Sequence, residues 1–160
     1  MDVHRTIPEM IMHAGYAFEA HKVMTDDQYI NTAWRITGKL GHKNALNPGR
    51  KPPVILQHGL ADNGAGWLVP NSSRALPYML SDAGYDVWLT NARGNVYSYE
   101  HMDIEGHDAK KRYSDFYKFT FDEMAKYDTP AYLDYILDRS SFEKVFYIGV
   151  SQGTTTFLAA

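Results

Sequence analysis

Apolar and polar positions along the chain switch repeatedly between a helical and a strand period. Ile7, Met10 and Ile11 recur at helical spacing around Pro8, which predicts a short amphipathic helix within Met1–Ala14. Ala20–Thr25 and Tyr29–Ile36 read as β-runs, and Asp26-Asp27-Gln28 between them predicts a hairpin turn. Gly38–Pro53 is polar and rich in Gly, Lys, Asn and Pro, the composition of a surface loop. Val54-Ile55-Leu56-Gln57 is a short apolar run of the kind that fills the buried middle of a parallel sheet. A helix is expected over Ser72–Ser81, with Leu76, Met79 and Leu80 inward and Gly84 closing it. Tyr85–Leu89 is the next strand, so strand, helix and strand form a βαβ unit. Thr120-x-x-Glu123 is a capping box that starts a helix at Phe121. Thr129-Pro130 restarts it, with Tyr132, Ile136, Leu133 and Leu137 on the inward face. A last β-run, Val145–Ile148, precedes a glycine-rich turn. The pattern is that of an α/β protein, with a mostly parallel sheet and flanking helices, and shows no internal repeat and no second domain.

Composition narrows the class only a little. Across 160 residues, 44% hydrophobic and 14% aromatic content describes a folding chain with one core. A formal charge of −3 leaves no basic footprint, so nucleic acid is not expected as a partner. No apolar run reaches membrane-spanning length, and residues 1–15 show no signal-peptide pattern. The absence of Cys leaves the redox compartment open.

The chemistry concentrates at the turn after the last strand. Gly149-Val150-Ser151-Gln152-Gly153 is G-x-S-x-G between a strand and a segment able to open a helix, the nucleophile elbow of α/β-hydrolases. A serine on so tight a turn is strained, and the residues two before and two after it must be nearly free of side chain. The turn would set the hydroxyl at a helix N-terminus, where backbone N–H groups face a developing oxyanion. About ninety residues earlier, His58-Gly59-Leu60 follows the first apolar strand. Gly59 allows close backbone approach, so the N–H of Leu60 is the candidate oxyanion donor, paired with that of Gln152. Asn91-Ala92-Arg93-Gly94-Asn95 forms a polar loop at the carboxyl end of the next strand, the edge where open α/β sheets bind ligands. His101–Asp108 collects two His and two Asp, but at none of the usual zinc spacings, and reads as a solvated loop. No metal or cofactor is expected. The aromatics of Tyr113–Phe121 read as core and rim packing ahead of an acyl-binding role. Asn71-Ser72-Ser73 is a glycosylation sequon in an expected surface loop.

Taken together, these segments resemble the acid lipase family of the α/β-hydrolase fold, the gastric and lysosomal type. The likeness runs from about Ile11 to Ala160 and is carried best by Leu56–Leu60, by Ala83–Asn95 (AGYDVWLTNARGN) and by Phe121–Asp128 (FDEMAKYD) with Pro130-Ala131. The resemblance implies Ser151 as nucleophile, the N–H groups of Leu60 and Gln152 as oxyanion hole, and a triacylglycerol or steryl ester as substrate at a lipid–water interface. It also implies a secreted or lysosomal protein.

Three departures accompany the likeness. Val150 stands where the family usually has His; a buried apolar residue can fill that place, so a changed environment is expected rather than lost chemistry. Gly15-Tyr16-Ala17 and Asp27-Gln28-Tyr29 replace segments in which proline and glycine are more usual. The fold orders its triad serine, acid, histidine, and the sequence ends at Ala160, nine residues after Ser151. Residues 1–160 are therefore expected to be the N-terminal part of one hydrolase domain, cut after about five of eight strands, without the cap, triad acid and base. Three readings stay open: a lipase seen in part, a catalytically dead remnant that at most binds lipid or a partner, and an esterase or peptidase of the same fold acting on small soluble substrates.

Overall fold

The computed structural model describes residues 5–41, 51–70, 73–104 and 109–160. The first helix, α1 (Ile7–His13), is capped by Thr6, whose backbone N–H donates to the Glu9 carboxylate at 2.7 Å, and it buries Ile7, Met10 and Ile11. Strands β1 (Tyr16–Met24) and β2 (Tyr29–Lys39) form an antiparallel hairpin that extends past the apolar pattern at its open end, to Tyr16 and Lys39. Its turn is closed by the Gln28 N–H to the Thr25 carbonyl at 2.9 Å, with Gln28 at φ +72°. Of the expected loop Gly38–Pro53, the first two residues belong to β2, Pro53 opens the next strand, and 42–50 lie outside the described residues.

The sheet is built outward from β3 (Pro53–Gln57) and β4 (Asp86–Thr90), which pair in parallel and are buried at every position. Strand β6 (Phe146–Gly149) adds in parallel to β3, and β2 adds antiparallel to β4, giving the order β1-β2-β4-β3-β6. A two-residue strand β5 (Glu100–His101), without a pattern of its own, pairs with the start of β2. The parallel part is thus β4-β3-β6, and the hairpin makes the whole sheet mixed.

Alternation along the strands feeds two cores. Val54, Leu56, Val87 and Leu89 point to one face, under α1 and α2 (Leu76–Asp82). Ile55 and Trp88 point to the other, against Tyr132 and Ile136 of α5 (Thr129–Arg139). Burying a side chain of the size of Leu56 stabilises by about 1.5–3 kcal/mol.

The face of α2 corrects the expectation. Tyr78, not Met79, turns inward: its ring stacks on Tyr16 at 4.6 Å, while Met79 is 53% exposed. Helix α2 starts at Leu76, with Pro77 in its first turn, and ends where Gly84 takes φ +93°.

Helices α3 (Ala109–Phe116) and α4 (Phe121–Glu123) follow, the latter capped by Thr120 and Glu123 as expected. Between α4 and α5 the rod does not stop. Met124–Asp128 is a π turn, in which the Thr129 N–H reaches back five residues to the Met124 carbonyl. Pro130 lacks an N–H and its ring crowds the carbonyl four residues back, and a widened turn accommodates both. The turn directs Asp128 inward, to 4% exposure.

Candidate active site

Strand β6 delivers Ser151 to the carboxyl edge of the sheet. The Val150 N–H donates to the Gln57 carbonyl at 3.1 Å, tying the turn to the end of β3. Ser151 follows at φ +51°, ψ −120°, exposed, as the residue preceding α6 (Gln152–Ala159). Such a conformation in a non-glycine residue costs about 1–3 kcal/mol and persists only where the surroundings fix it. The surroundings here are backbone. A Cβ on Gly149 would lie 2.8 Å from the Gly153 carbonyl carbon and oxygen, and one on Gly153 would lie 2.6 Å from the His58 oxygen and 2.7 Å from that of Gln57. The Ser151 carbonyl accepts from the N–H groups of Thr154 (2.9 Å) and Thr155 (3.2 Å), so the N–H of Gln152 points back out of the helix start. Burial pushes the Tyr147 hydroxyl up to about 12, and it donates to the Gly153 carbonyl at 2.8 Å.

The turn after β3 faces the elbow. A Cβ on Gly59 would stand 3.2 Å from Ser151 Cβ and 3.8 Å from its Oγ. Leu60 is 72% exposed at the lip, and Ala61 takes φ +57°. Among the described residues, the N–H groups of Leu60 and Gln152 donate to no backbone acceptor. His58 is buried beneath. Its Nδ1 lies 2.8 Å from the Gly59 carbonyl oxygen, and its Nε2 lies 3.0 Å from the Ala92 N–H nitrogen and 3.1 Å from Asn95 Nδ2. Burial holds the imidazole below its usual range, despite the hydrogen bond to Gly59.

The loop after β4 closes the other side. Arg93 is fully buried, with Nη1 and Nη2 on the two oxygens of Asp27 (2.6 and 2.9 Å) and Nε and Nη2 on Asp128 (2.8 and 2.7 Å). The guanidinium also lies 3.9 Å from the centre of the Tyr29 ring. Burial alone would lower the Arg93 pKa, but the two carboxylates outweigh it and raise it. Burial raises the Asp27 carboxyl, but Arg93 and Thr25 outweigh that and hold it below its usual value. At Asp128 burial is the stronger influence and pushes the carboxyl up, against the pull of Arg93. Between the two loops opens a cleft of about 440 Å³, lined on its polar side by Asn63, Asn95 and Gln152 and on its apolar side by Leu60, Val96 and Phe119.

The family model described as "Partial alpha/beta-hydrolase lipase region" matches residues 7–71, and that described as "alpha/beta hydrolase fold" matches residues 52–160. Gastric triacylglycerol lipase of Mus musculus is 40% identical over 96% of this chain and 37% of its own length. The Bos taurus enzyme of that name is 43% identical over 93% of the chain and 36% of its own. Lysosomal acid lipase/cholesteryl ester hydrolase of Homo sapiens is 39% identical over 96% and 37%. The chain belongs to the acid lipase family of the α/β-hydrolase fold. It spans about 37% of the length of these relatives. In fold it is similar to an esterase from Pyrococcus furiosus, with TM-score 0.64 and 18% identity over 96% of this chain and 46% of that one. A putative epoxide hydrolase from Pseudomonas aeruginosa gives TM-score 0.53 and 19% identity over 89% and 36%.

In this acid lipase chain the three residues singled out in the sequence, Leu60, Ser151 and Gln152, meet at one sheet edge. Val150 departs from expectation: it is 51% exposed, because β6 has a partner strand on one side only among the described residues. Asn71 of the sequon and residues 105–108 of the His101–Asp108 stretch lie outside the described residues. Of the aromatic run, Phe116 is core, whereas Tyr117 and Phe119 line the cleft. The Asp27–Arg93–Asp128 cluster and the contacts of Asn95 were not anticipated. The only signal for them was the polar loop Asn91–Asn95 at a strand's carboxyl end.

Proposed function

We propose that the protein is a serine ester hydrolase acting on neutral lipid esters, triacylglycerol or steryl ester, at a lipid–water interface. The observation that carries this reading is Ser151 at positive φ before α6, packed against the Gly59 turn, with the Leu60 and Gln152 N–H groups beside the cleft and without a backbone acceptor among the described residues. In the reaction Ser151 Oγ attacks the ester carbonyl and its proton passes to a general base. The two N–H groups hold the oxyanion, the alcohol leaves with that proton, and water then cleaves the acyl-enzyme. His58 does not serve as the base, since both its ring nitrogens are engaged. In the chain order that the fold uses, the acid and then the histidine base follow the nucleophile. The relatives' names support a lipid ester, as do the apolar walls at Leu60, Val96 and Phe119. The same relatives favour a secreted or lysosomal site.

The test is hydrolysis of emulsified trioctanoylglycerol, cholesteryl oleate and soluble p-nitrophenyl acetate by the full-length protein and its Ser151→Ala variant. Loss of about 10³-fold or more on the emulsions is expected. Equal rates in the variant would overturn the assignment of the nucleophile. Activity confined to the acetate would replace the lipase by a small-substrate esterase, and no activity in either protein would favour the catalytically dead form.

A further inference from the structure

The hydrogen-bond pattern around His58 can be read atom by atom, because backbone groups of unambiguous polarity pin its ends. The Asn91 amide is oriented by two of them: its Oδ1 accepts from the Gly64 N–H at 2.9 Å, and its Nδ2 donates to the Thr32 carbonyl at 2.9 Å. Asn95 Oδ1 accepts from the Tyr97 N–H at 2.9 Å, which leaves Asn95 Nδ2 to donate to Asn91 Oδ1 and toward His58. The second group facing His58 Nε2 is the Ala92 N–H, which can only donate. Two donors therefore converge on Nε2, which must be the bare nitrogen. The ring proton sits on Nδ1 and donates to the Gly59 carbonyl.

That carbonyl belongs to the same peptide unit as the Leu60 N–H. Across a trans peptide the two point in opposite directions, so a hydrogen bond that fixes one aims the other. The Ser151–Gln152 peptide is held in the same way, with its carbonyl inside the first turn of α6 and its N–H outward. We infer that His58 is a positioning residue, whose Nδ1-protonated ring orients the Gly59–Leu60 peptide so that the Leu60 N–H faces the reacting carbonyl. This rests on the assignment of Ser151 and the Leu60 N–H made above. Ala92 and Asn95 set the tautomer. The Arg93 clamp, between them in sequence, holds their loop to Asp27 and Asp128. The ring touches no substrate. Its effect is preorganisation of an oxyanion donor, whose loss in comparable sites costs about 10²–10³ in kcat.

Two experiments on the full-length protein test this. Long-range ¹H–¹⁵N correlation of its histidines reads the tautomer of His58 directly, with His58→Asn providing the assignment. A protonated Nδ1 and bare Nε2 are expected, and the opposite tautomer would overturn the inference. The second compares His58→Asn, whose amide nitrogen superposes on Nδ1, with His58→Gln, whose amide reaches only to Nε2. The rate of Ser151 phosphonylation by a fluorophosphonate ester should stay within a few-fold of the unaltered protein in the first and fall at least about tenfold in the second, with kcat lost and KM kept. Equal losses in both variants, tracking their unfolding temperatures, would make His58 a structural residue only. If neither variant folds, the tautomer in the unaltered protein decides, with His58 assigned through its own backbone resonances instead. Absence of Ser151-dependent labelling in the unaltered protein would sink the nucleophile itself, and this inference with it. Normal labelling with the wrong tautomer would sink the inference alone.

Discussion

Gly153 passes so close to Gln57 that a Cβ on the glycine would lie 2.7 Å from the Gln57 carbonyl oxygen. The second glycine of the elbow is therefore needed because the end of β3 occupies the place of its side chain, and β3 is nearly a hundred residues earlier in the chain. Since the obstacle is backbone, a methyl group forces strand and helix apart. Gly153→Ala is expected to lose about 1–3 kcal/mol of stability by overpacking and to slow fluorophosphonate labelling of Ser151. Urea unfolding followed by tryptophan fluorescence measures the first and intact mass the second. A variant as stable and as reactive as the parent would show that the turn relaxes at no cost.

Arg93 is the second place where packing decides. Removing one partner of a buried ion cluster leaves the others uncompensated, a loss of about 3–5 kcal/mol. Arg93→Met keeps the length of the stem and leaves Asp27 and Asp128 facing each other without a cation. That variant should unfold at much lower urea than Arg93→Lys, which retains a charge but not the fork that spans both carboxylates. Adding Asp128→Asn to Arg93→Met should restore part of the loss, and no restoration would show that Arg93 acts by packing on Tyr29 alone.

These two sites differ in how far they could be read in advance. The elbow was legible because its requirement for small residues falls at fixed spacing around Ser151, although the atoms imposing it belong to Gln57 and His58. Strands β3 and β4 were legible because burial on both faces leaves continuous apolar runs, Val54–Leu56 and Val87–Leu89. The Asp27–Arg93–Asp128 cluster was not, since each residue stands in a polar segment, and it takes the antiparallel placement of β2 beside β4 together with the π turn at Met124–Asp128 to bring them together. The π turn at Met124–Asp128 escaped for a different reason. A proline at a helix start and a proline relieved by a widened turn look the same in one dimension. On α2, Tyr78 took the inward place because its ring finds Tyr16 and its hydroxyl donates to the Met10 carbonyl at 3.3 Å, partners that a helical period cannot reveal.

Two histidines give stability a defined dependence on pH. Burial holds both His21 and His58 below the ordinary value of 6.5, in spite of the Glu19 carboxylate at 3.1 Å from His21. With the folded pKa below the unfolded one, the unfolded chain binds more protons between the two values. Stability is then complete above about pH 6.5 and is lost as pH falls from there toward the folded values. The carboxyls of Glu9, Glu123 and Asp27 are lowered instead, so their contribution is lost only on further acidification, from about pH 5 downward. Urea midpoints between pH 7.5 and 5.5 should fall, and His21→Gln should flatten part of that fall. A flat profile in the unaltered protein would contradict the burial of both rings.

Phe119 is placed to set the width of the cleft. Its ring lies so near Gly94 that a Cβ there would come within 2.8 Å of Phe119 Cζ, and Gly94 takes φ +88°. The Tyr117 hydroxyl donates to the Gly94 carbonyl at 2.8 Å, so ring, loop and hydroxyl hold one another in register. The Phe119 ring is half-buried and also meets Tyr29 edge-on, with centroids 5.6 Å apart, which leaves its outer face to the cleft. Truncation to alanine should therefore remove apolar wall without unpairing a polar group. For Phe119→Ala, kcat/KM on a long-chain ester should fall about tenfold relative to an acetyl ester, equivalent to about 1.4 kcal/mol, with most of the change in KM. Parallel losses on both esters would mean that the ring supports the Arg93 loop from behind and that acyl chains bind elsewhere.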